Sequence, residues 1–130
     1  MDGTIEIGIV DDHEIYKKGL KLALSYFDDL KILLEAENGR DLLIQLKVST
    51  PQVILLDLKM SIMDGITVLP LLKHDFPQVK VIMLSIYDDI ITIEKLRNLG
   101  ADSFLSKNCD VRKMYEEIKS VANNDFKLRY

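Results

Sequence analysis

The sequence predicts an α/β domain of the (βα)5 type, in which five strands alternate with five helices around a parallel sheet. Five short apolar runs recur along the chain, and each is followed by a stretch whose apolar residues have helical spacing. The 130 residues are 48% hydrophobic and 29% charged, a composition that supports one buried core and argues against a disordered segment. Regular alternation of this kind favours a sheet covered by helices on both faces.

The apolar runs are the predicted strands. The third run, VILLD, has no polar residue before its last position and is rich in branched side chains, which is typical of a strand buried on both faces. The predicted strands cover residues 5–10, 31–36, 53–57, 79–85 and 102–106.

The predicted helices follow the strands, and punctuation residues mark the ends of two of them. Gly100 follows the fourth helix and Asn123 with Asn124 follows the fifth. Pro70 lies inside the third helical stretch, and because proline lacks a backbone N–H we expect a late helix start or a kink there. The apolar residues with helical spacing are Leu20, Leu22, Ala23, Leu24 and Phe27; Leu42, Leu43 and Leu46; Val68, Leu69 and Leu72; Ile90, Ile93, Leu96 and Leu99; and Met114, Ile118 and Val121.

Charge and cysteine content narrow the class of protein. The formal net charge is −4, and an acidic domain repels the phosphate backbone, so we expect no direct nucleic-acid binding by this chain. Cys109 is the one cysteine, which excludes an internal disulfide and fits a reducing compartment. The acidic N-terminus is unlike a signal peptide, and no apolar run has transmembrane length. We therefore expect a cytoplasmic domain over residues 1–124, with residues 125–130 beginning a linker.

Polar residues stand where the predicted strands end. Asp11 and Asp12 end the first strand, Asp57 the third and Ser85 the fourth, and Lys107 follows the fifth. In an open parallel sheet, ligands bind beyond the carboxyl ends of the strands. We expect these five side chains to lie along one edge of the sheet.

Three clustered carboxylates need a compensating charge. Each pair at about 4 Å repels by roughly 4 kcal/mol at an effective dielectric constant near 20. Mg2+, or Mn2+ in its place, is a hard cation that takes oxygen ligands, and Lys107 adds a second positive charge. In such a pocket Asp57 could act as the nucleophile toward a phosphoryl group. The alternative is structural: Asp57 as a simple strand end, Asp11 and Asp12 as helix caps, and Ser85 as a local hydrogen-bonding residue.

The motif around Asp57 resembles a known family signature. LLDLKMSIMDG is similar to the strand-three signature of the receiver domains of two-component response regulators, and VDDHE resembles their acidic pair. The segments LSIYDD and GADSFLSKNC resemble the NarL/LuxR-type members, which join a receiver to a helix-turn-helix DNA-binding domain. The resemblance implies a flavodoxin-like fold, doubly wound, with strand order 2-1-3-4-5.

The resemblance also implies roles for single residues. Asp57 would accept a phosphoryl group from a sensor histidine kinase. The backbone carbonyl of Lys59 would join Asp11, Asp12 and Asp57 as a metal ligand. Ser85, Lys107 and Phe104 would bind the phosphoryl group or respond to it, although Phe104 could equally be a core residue. Phosphorylation would then control a DNA-binding output domain or a homodimer; the chain would be no dedicated enzyme and would have no membrane partner.

Three positions depart from the signature. Ser61 stands where the family usually has proline, which gives the loop freedom and a backbone donor, and Asn108 stands where many members have proline. Ile86 stands where a small residue is common. We expect Lys59, Ile86 and Tyr87 to control the access of water and phosphodonor to the pocket.

Two other functions stay open at this point. A phosphohydrolase with an aspartyl intermediate generally needs a second acid two residues after the nucleophile, where this chain has Lys59. A pseudo-receiver would act through protein contacts only. We expect both histidines, His13 and His74, to be exposed residues without metal-ligand neighbours. We expect Lys17, Lys18 and Lys21 to form a solvated helix face.

Overall fold

The protein forms one five-stranded parallel sheet in the order β2-β1-β3-β4-β5, which confirms the predicted flavodoxin-like fold. The structure is a computed structural model, and it describes residues 3–86 and 89–123. The elements are β1 (Ile5–Val10), α1 (Glu14–Leu24), β2 (Leu30–Ala36), α2 (Gly39–Leu46), β3 (Val53–Asp57), α3 (Gly65–Asp75), β4 (Lys80–Ser85), α4 (Ile90–Asn98), β5 (Ser103–Ser106) and α5 (Val111–Ala122).

The predicted element boundaries agree closely with the structure. Strands β1 and β3 have the predicted limits, and each of the other three begins one residue away from its predicted start. Helix α4 is followed by Gly100 at φ 110°, and Asn123 caps α5, as the punctuation indicated. The assignment of Phe27 to the first helix is wrong, since α1 ends at Leu24. Phe27 lies in the next turn, where its ring stacks on Tyr115.

Each face of the sheet carries its own apolar core. Helices α1 and α5 cover one face, and α2, α3 and α4 cover the other. Within β3, Ile54 and Leu56 face one core while Val53 and Leu55 face the other, and all four are 0% exposed. The prediction of a strand buried on both faces is therefore confirmed. No helix in residues 3–86 or 89–123 combines the length and apolar character needed to cross a membrane.

Helix α3 begins upstream of its proline, so a late start is wrong. The helix runs from Gly65 with Pro70 inside it, and the Asp64 side chain caps it by accepting the N–H of Thr67. A side chain at Gly65 would place its Cβ 2.5 Å from the Asp57 carbonyl oxygen, so only glycine lets the helix start pack against β3. These contacts fix the start, and Pro70 on the exposed side removes one helical hydrogen bond.

A partly buried ion pair joins α3 to the far end of the sheet. The Lys73 ammonium donates to the Asp102 carboxylate at 2.9 Å and to the Val79 carbonyl at 2.8 Å. The same Asp102 oxygen accepts the backbone N–H of Val81 at 2.8 Å. One carboxylate thus connects α3, β4 and the start of β5.

The loop between β3 and α3 contains a tight turn with unfavourable backbone geometry. Ile62 has φ 68°, and the N–H of Met63 donates to the Ser61 carbonyl across it at 2.7 Å. This is the pattern of a γ-turn with positive φ, which is rare, and a β-branched residue there is strained. Ile62 is 76% exposed, so packing does not offset the strain.

Replacing Ile62 by Gly is therefore expected to stabilise the protein. The left-handed backbone costs on the order of 1–3 kcal/mol for a non-glycine residue, and the added freedom of glycine in the unfolded chain cancels about 0.5–1 kcal/mol. We expect a gain of roughly 1 kcal/mol in urea unfolding. The control is Ile62→Ala, which removes the exposed side chain but keeps Cβ; an equal gain in both variants would contradict strain as the cause.

Candidate functional site

The strand ends gather the predicted polar residues at one edge of the sheet. The Lys107 ammonium lies 2.8 Å from Asp11 Oδ2 and 3.3 Å from Asp57 Oδ2. Ligand atoms from Asp11, Asp12, His13 and Asp57 all lie within 4.8 Å of one another. The parallel register produces this meeting, because Val10 pairs with Leu56 and the first and third strands end side by side.

Asp57 is a buried carboxylate with an incomplete set of partners. It is 4% exposed, and within residues 3–86 and 89–123 its Oδ2 makes no hydrogen bond, although Lys107 lies at ion-pair distance. Burial, followed by the negative charge of Asp11, raises the pKa of Asp57 to about 6, against the opposing effect of Lys107. A buried carboxylate oxygen without a hydrogen bond retains free lone pairs for a cation or an electrophile.

The pKa of Asp11 is shifted in the opposite direction from the pKa of Asp57. Burial alone would raise the pKa of Asp11, but Lys107 and the backbone N–H of His13 outweigh it, so that pKa lies below its usual range. Asp11 is 1% exposed, and its buried Oδ2 is paired with the Lys107 ammonium at 2.8 Å. The pKa values of these two neighbouring acids are thus shifted in opposite directions, and the Lys107 ammonium contacts both carboxylates.

Asp12 is held by the loop that follows β3. Its Oδ2 accepts the backbone N–H of Ser61 at 3.0 Å. A proline at position 61 could not make this bond, so the predicted extra donor is present and is used. The bond ties the loop with the strained turn to the end of β1.

The prediction that His13 has no metal-ligand neighbours is wrong. It is the N-cap residue of α1, which also excludes Asp11 and Asp12 as the cap. Its N–H donates to Asp11 Oδ1, and its Nδ1 lies 3.0 Å from Asp11, 3.4 Å from Asp12 and 3.7 Å from Asp57. The available signal was position: a side chain directly after two strand-end acids, at a tight strand-to-helix turn, folds back over them.

Two residues of α1 were not anticipated in the positions that the structure gives them. The Tyr16 ring lies under the Lys107 ammonium, 4.5 Å from ring centre to Nζ, and the sequence contained no signal for this contact. Burial, together with nearby negative charges, raises the pKa of Tyr16 to about 12. Lys17 is buried rather than solvated, and its ammonium pairs with Glu14 at 3.0 Å.

Asp57 opens into a cavity of about 570 Å3. Lys59, Ser85 and Ile86 line it together with Asp57 and Lys107. Ser85 is buried, whereas Lys59 and Ile86 are exposed at the rim. Tyr87, the other residue predicted to control access, lies outside the described residues.

Ser85 also reaches a second, smaller cavity. That cavity measures about 110 Å3 and lies between Ser85, Ile93 of α4 and Phe104 of β5. Phe104 is partly buried and packs against the core on the α3 side of the sheet. The structure therefore gives Phe104 a packing role and leaves room beside it.

Comparison with known proteins places this arrangement in a family. A family model for the response regulator receiver domain matches residues 7–119. The chain belongs to the response regulator receiver family. The resemblance drawn from the motifs is confirmed, and so is the fold that it implied.

Similar proteins include regulators about twice as long as this receiver. The transcriptional regulatory protein DegU of Brevibacillus brevis is 31% identical over 121 residues, which cover 93% of this chain and 51% of DegU. The response regulator protein VraR of Staphylococcus saprophyticus is also 31% identical, over 93% of this chain and 58% of VraR. This receiver spans about half the length of these curated relatives.

A solved receiver domain has closely the same fold. The signal receiver domain of the response regulator NarL from Mycobacterium tuberculosis superposes with a TM-score of 0.87 at 26% identity, over 92% of this chain and 97% of that one. Together with the curated relatives, it supports the NarL/LuxR-type resemblance of this receiver.

Proposed function

We propose that this receiver accepts a phosphoryl group on Asp57 from a sensor histidine kinase in the cytoplasm. The observation that carries the proposal is the Asp57 carboxylate itself. Its Oδ2 is buried, has no hydrogen bond to the part of the chain that the structure describes, faces an open cavity, and lies 3.3 Å from a lysine ammonium. The new bond joins an Asp57 oxygen to phosphorus, and the bond from phosphorus to the donor's imidazole nitrogen breaks.

The acidic residues fit a hard divalent cation. Asp57 presents a buried oxygen without a hydrogen bond among the described residues, Asp11 presents a buried oxygen that faces the Lys107 ammonium, and Asp12 adds a partly exposed carboxylate. Mg2+, or Mn2+, would be held by these acids and the Lys59 carbonyl. When bound, the ion neutralises charge on the transferring phosphoryl oxygens.

The other residues act on the incoming phosphoryl group. Lys107 stands close enough to Asp57 to pair with a phosphoryl oxygen there, and the cation–π contact with Tyr16 holds its ammonium over the site. The Ser85 hydroxyl would bond the phosphoryl group, and Phe104 would move into the small cavity beside it. This movement would change the surface formed by α4, β5 and α5.

The proposal is tested by phosphorylation with a small donor. Acetyl phosphate and Mg2+ should add the mass of one phosphoryl group to the protein, and Asp57→Asn should abolish the gain. The matched control is Asp64→Asn, since Asn also caps helices and Asp64 lies seven residues along the same loop. A phosphoryl group still gained by Asp57→Asn would show that the acceptor is another residue.

Mg2+ is expected to raise the midpoint of thermal unfolding. A ligand that binds only the folded state stabilises it by about 2.7 kcal/mol at a hundredfold excess over its dissociation constant. Melting curves in Mg2+ and in chelator should differ for the wild type, and the difference should shrink in Asp12→Ala. Coincident wild-type curves would argue against cation binding at these acids.

Ile86 is expected to limit the loss of the phosphoryl group. Its side chain is 63% exposed at the rim of the cavity, where it can obstruct water. Ile86→Ala should accelerate decay after the donor is removed, and a tenfold change needs only about 1.4 kcal/mol. Faster gain with unchanged decay would mean that Ile86 obstructs the phosphodonor instead.

The response would be delivered to an output domain. The relatives named as transcriptional or response regulators are about twice as long, which supports a helix-turn-helix DNA-binding partner domain and a phosphorylation-dependent homodimer. The chain of 130 residues carries net charge −4 and is expected to give no salt-sensitive gel shift. It would catalyse its own phosphorylation and dephosphorylation without being a dedicated enzyme.

A further inference from the structure

We propose that the backbone N–H of Ser61 positions the Asp12 carboxylate, and that the strained turn at Ile62 aims this N–H at Asp12. The inference deepens the proposed function and rests on it in one respect, because it takes Asp12 as a ligand of the divalent cation. It gives the loop after β3 a positioning role at the site that uses the backbone of Ser61 and does not use its side chain.

Asp12 is held differently from the other two acids. Asp11 and Asp57 are 1% and 4% exposed, so packing restricts both carboxylates. The Asp12 side chain is 29% exposed and has room to rotate toward solvent. The N–H of Ser61 donates to Asp12 Oδ2 at 3.0 Å, and Oδ1 then lies on the side of the site, 3.4 Å from His13 Nδ1. A hydrogen bond that orients a metal ligand typically contributes about 10–100-fold to metal affinity.

The loop is anchored on both sides of one residue. The N–H of Ser61 is bound to Asp12, at the end of β1. The carbonyl of Met63 accepts the N–H of Gly39, at the start of α2, at 2.8 Å. Ile62 is the one residue between these two anchors, so the chain has to change direction within a single residue. The φ of 68° at Ile62, with the bond from the Met63 N–H to the Ser61 carbonyl, produces this change of direction.

Close packing keeps the second anchor in place. A Cβ at Gly39 would lie 2.9 Å from Met63 Cγ and 3.1 Å from the Met63 carbonyl oxygen, so α2 begins directly against the loop. The loop therefore has little room to relax at Met63. The strain at Ile62 is held instead by the bond between Ser61 and Asp12, in agreement with the tendency of backbone strain to occur at functional sites. Loss of this bond should let the turn relax.

The test compares two substitutions at position 61. Ser61→Pro removes the N–H, and it should fold because the family signature usually has proline there. Ser61→Ala is the matched control, because it keeps the N–H and removes only the hydroxyl of an exposed residue. The dissociation constant of Mg2+ is measured for both variants and the wild type by calorimetric titration. We expect about tenfold weaker Mg2+ binding in Ser61→Pro and unchanged binding in Ser61→Ala.

A second measurement uses no cation. In chelator, Ile62→Gly should raise the urea midpoint when it is combined with Ser61→Ala, because the bond to Asp12 still holds the turn. When Ile62→Gly is combined with Ser61→Pro, the turn has already relaxed, so the increase in the urea midpoint should be much smaller. The difference between the two increases measures the coupling of the turn to the Ser61 N–H.

Each measurement can overturn the inference. Unchanged or tighter Mg2+ binding in Ser61→Pro would show that the N–H does not position Asp12, and an equal loss in Ser61→Ala would assign the effect to the hydroxyl. Equal increases in the urea midpoint from Ile62→Gly in both backgrounds would show that the bond does not hold the turn. A wild type that binds no Mg2+ would contradict the cation in the proposed function as well, whereas failure of this inference alone leaves wild-type binding intact.

Discussion

Asp57→Asn is expected to raise the free energy of unfolding by on the order of 2 kcal/mol near neutral pH in the absence of divalent cations. The pKa of Asp57 is raised from 3.8 to about 6, first by burial and then by Asp11. Below 3.8 the carboxyl is protonated in both states, and the native state carries no penalty. As the pH rises from 3.8 toward 6, the Asp57 carboxyl ionises readily only in the unfolded state. The wild type therefore loses stability relative to Asp57→Asn, whose side chain stays neutral. Above about 6 the penalty is complete.

The higher free energy of unfolding of Asp57→Asn should therefore appear between pH 4 and 6 and stay constant above that range. Urea unfolding of both proteins in chelator, at a series of pH values, measures it. Asp28→Asn is the control, because Asp28 is an exposed acid remote from the site. A difference that does not change with pH, or a less stable Asp57→Asn near neutrality, would contradict charge burial as the cause.

Asp102→Ala is expected to destabilise the domain by about 3 kcal/mol, the second large effect. The change leaves the Lys73 ammonium without its carboxylate and the Val81 N–H without its acceptor. Breaking a buried pair from one side typically costs about 3–5 kcal/mol, and a lost acceptor alone about 1–3 kcal/mol. The Lys73 side chain is 19% exposed, so solvent can relieve part of this cost.

A double-mutant cycle with Lys73→Met isolates the pair. In the Lys73→Met background, Asp102→Ala should lower the free energy of unfolding by less, because no ammonium is left unpaired. The remaining cost reports the Val81 hydrogen bond. Strictly additive losses in urea unfolding would show that the two side chains do not interact, despite their 2.9 Å separation.

The fold was largely predictable because its signals are local and repeated. Apolar runs of strand length are separated by helical spacing, and β3 consists of residues that only a doubly covered strand can bury. Strand order required the family resemblance, since periodicity does not determine which strands are neighbours. The start of α3 was harder, because close packing of Gly65 on Asp57, rather than Pro70, decides it.

The site was predictable as far as it follows strand ends. Asp11, Asp12, Asp57 and Lys107 meet because the sheet is parallel, which the sequence implied. Side chains that reach the site from α1 were missed, because their direction depends on how the helix leaves the strand. The left-handed backbone at residue 62 was also hidden, since isoleucine gives no signal for positive φ.

Burial of β3 on both faces has a consequence for hydrogen exchange. Opening this strand would expose both cores, so its amides should exchange only when the whole domain unfolds. Residues 58–64 leave the sheet, and this loop is largely exposed or partly exposed, so amides there can exchange through local opening. The protection factors of Ile54 and Leu55 would thus measure global stability directly. Any ligand at Asp57 should raise them by its full binding contribution, while most of the change in local motion appears in the loop.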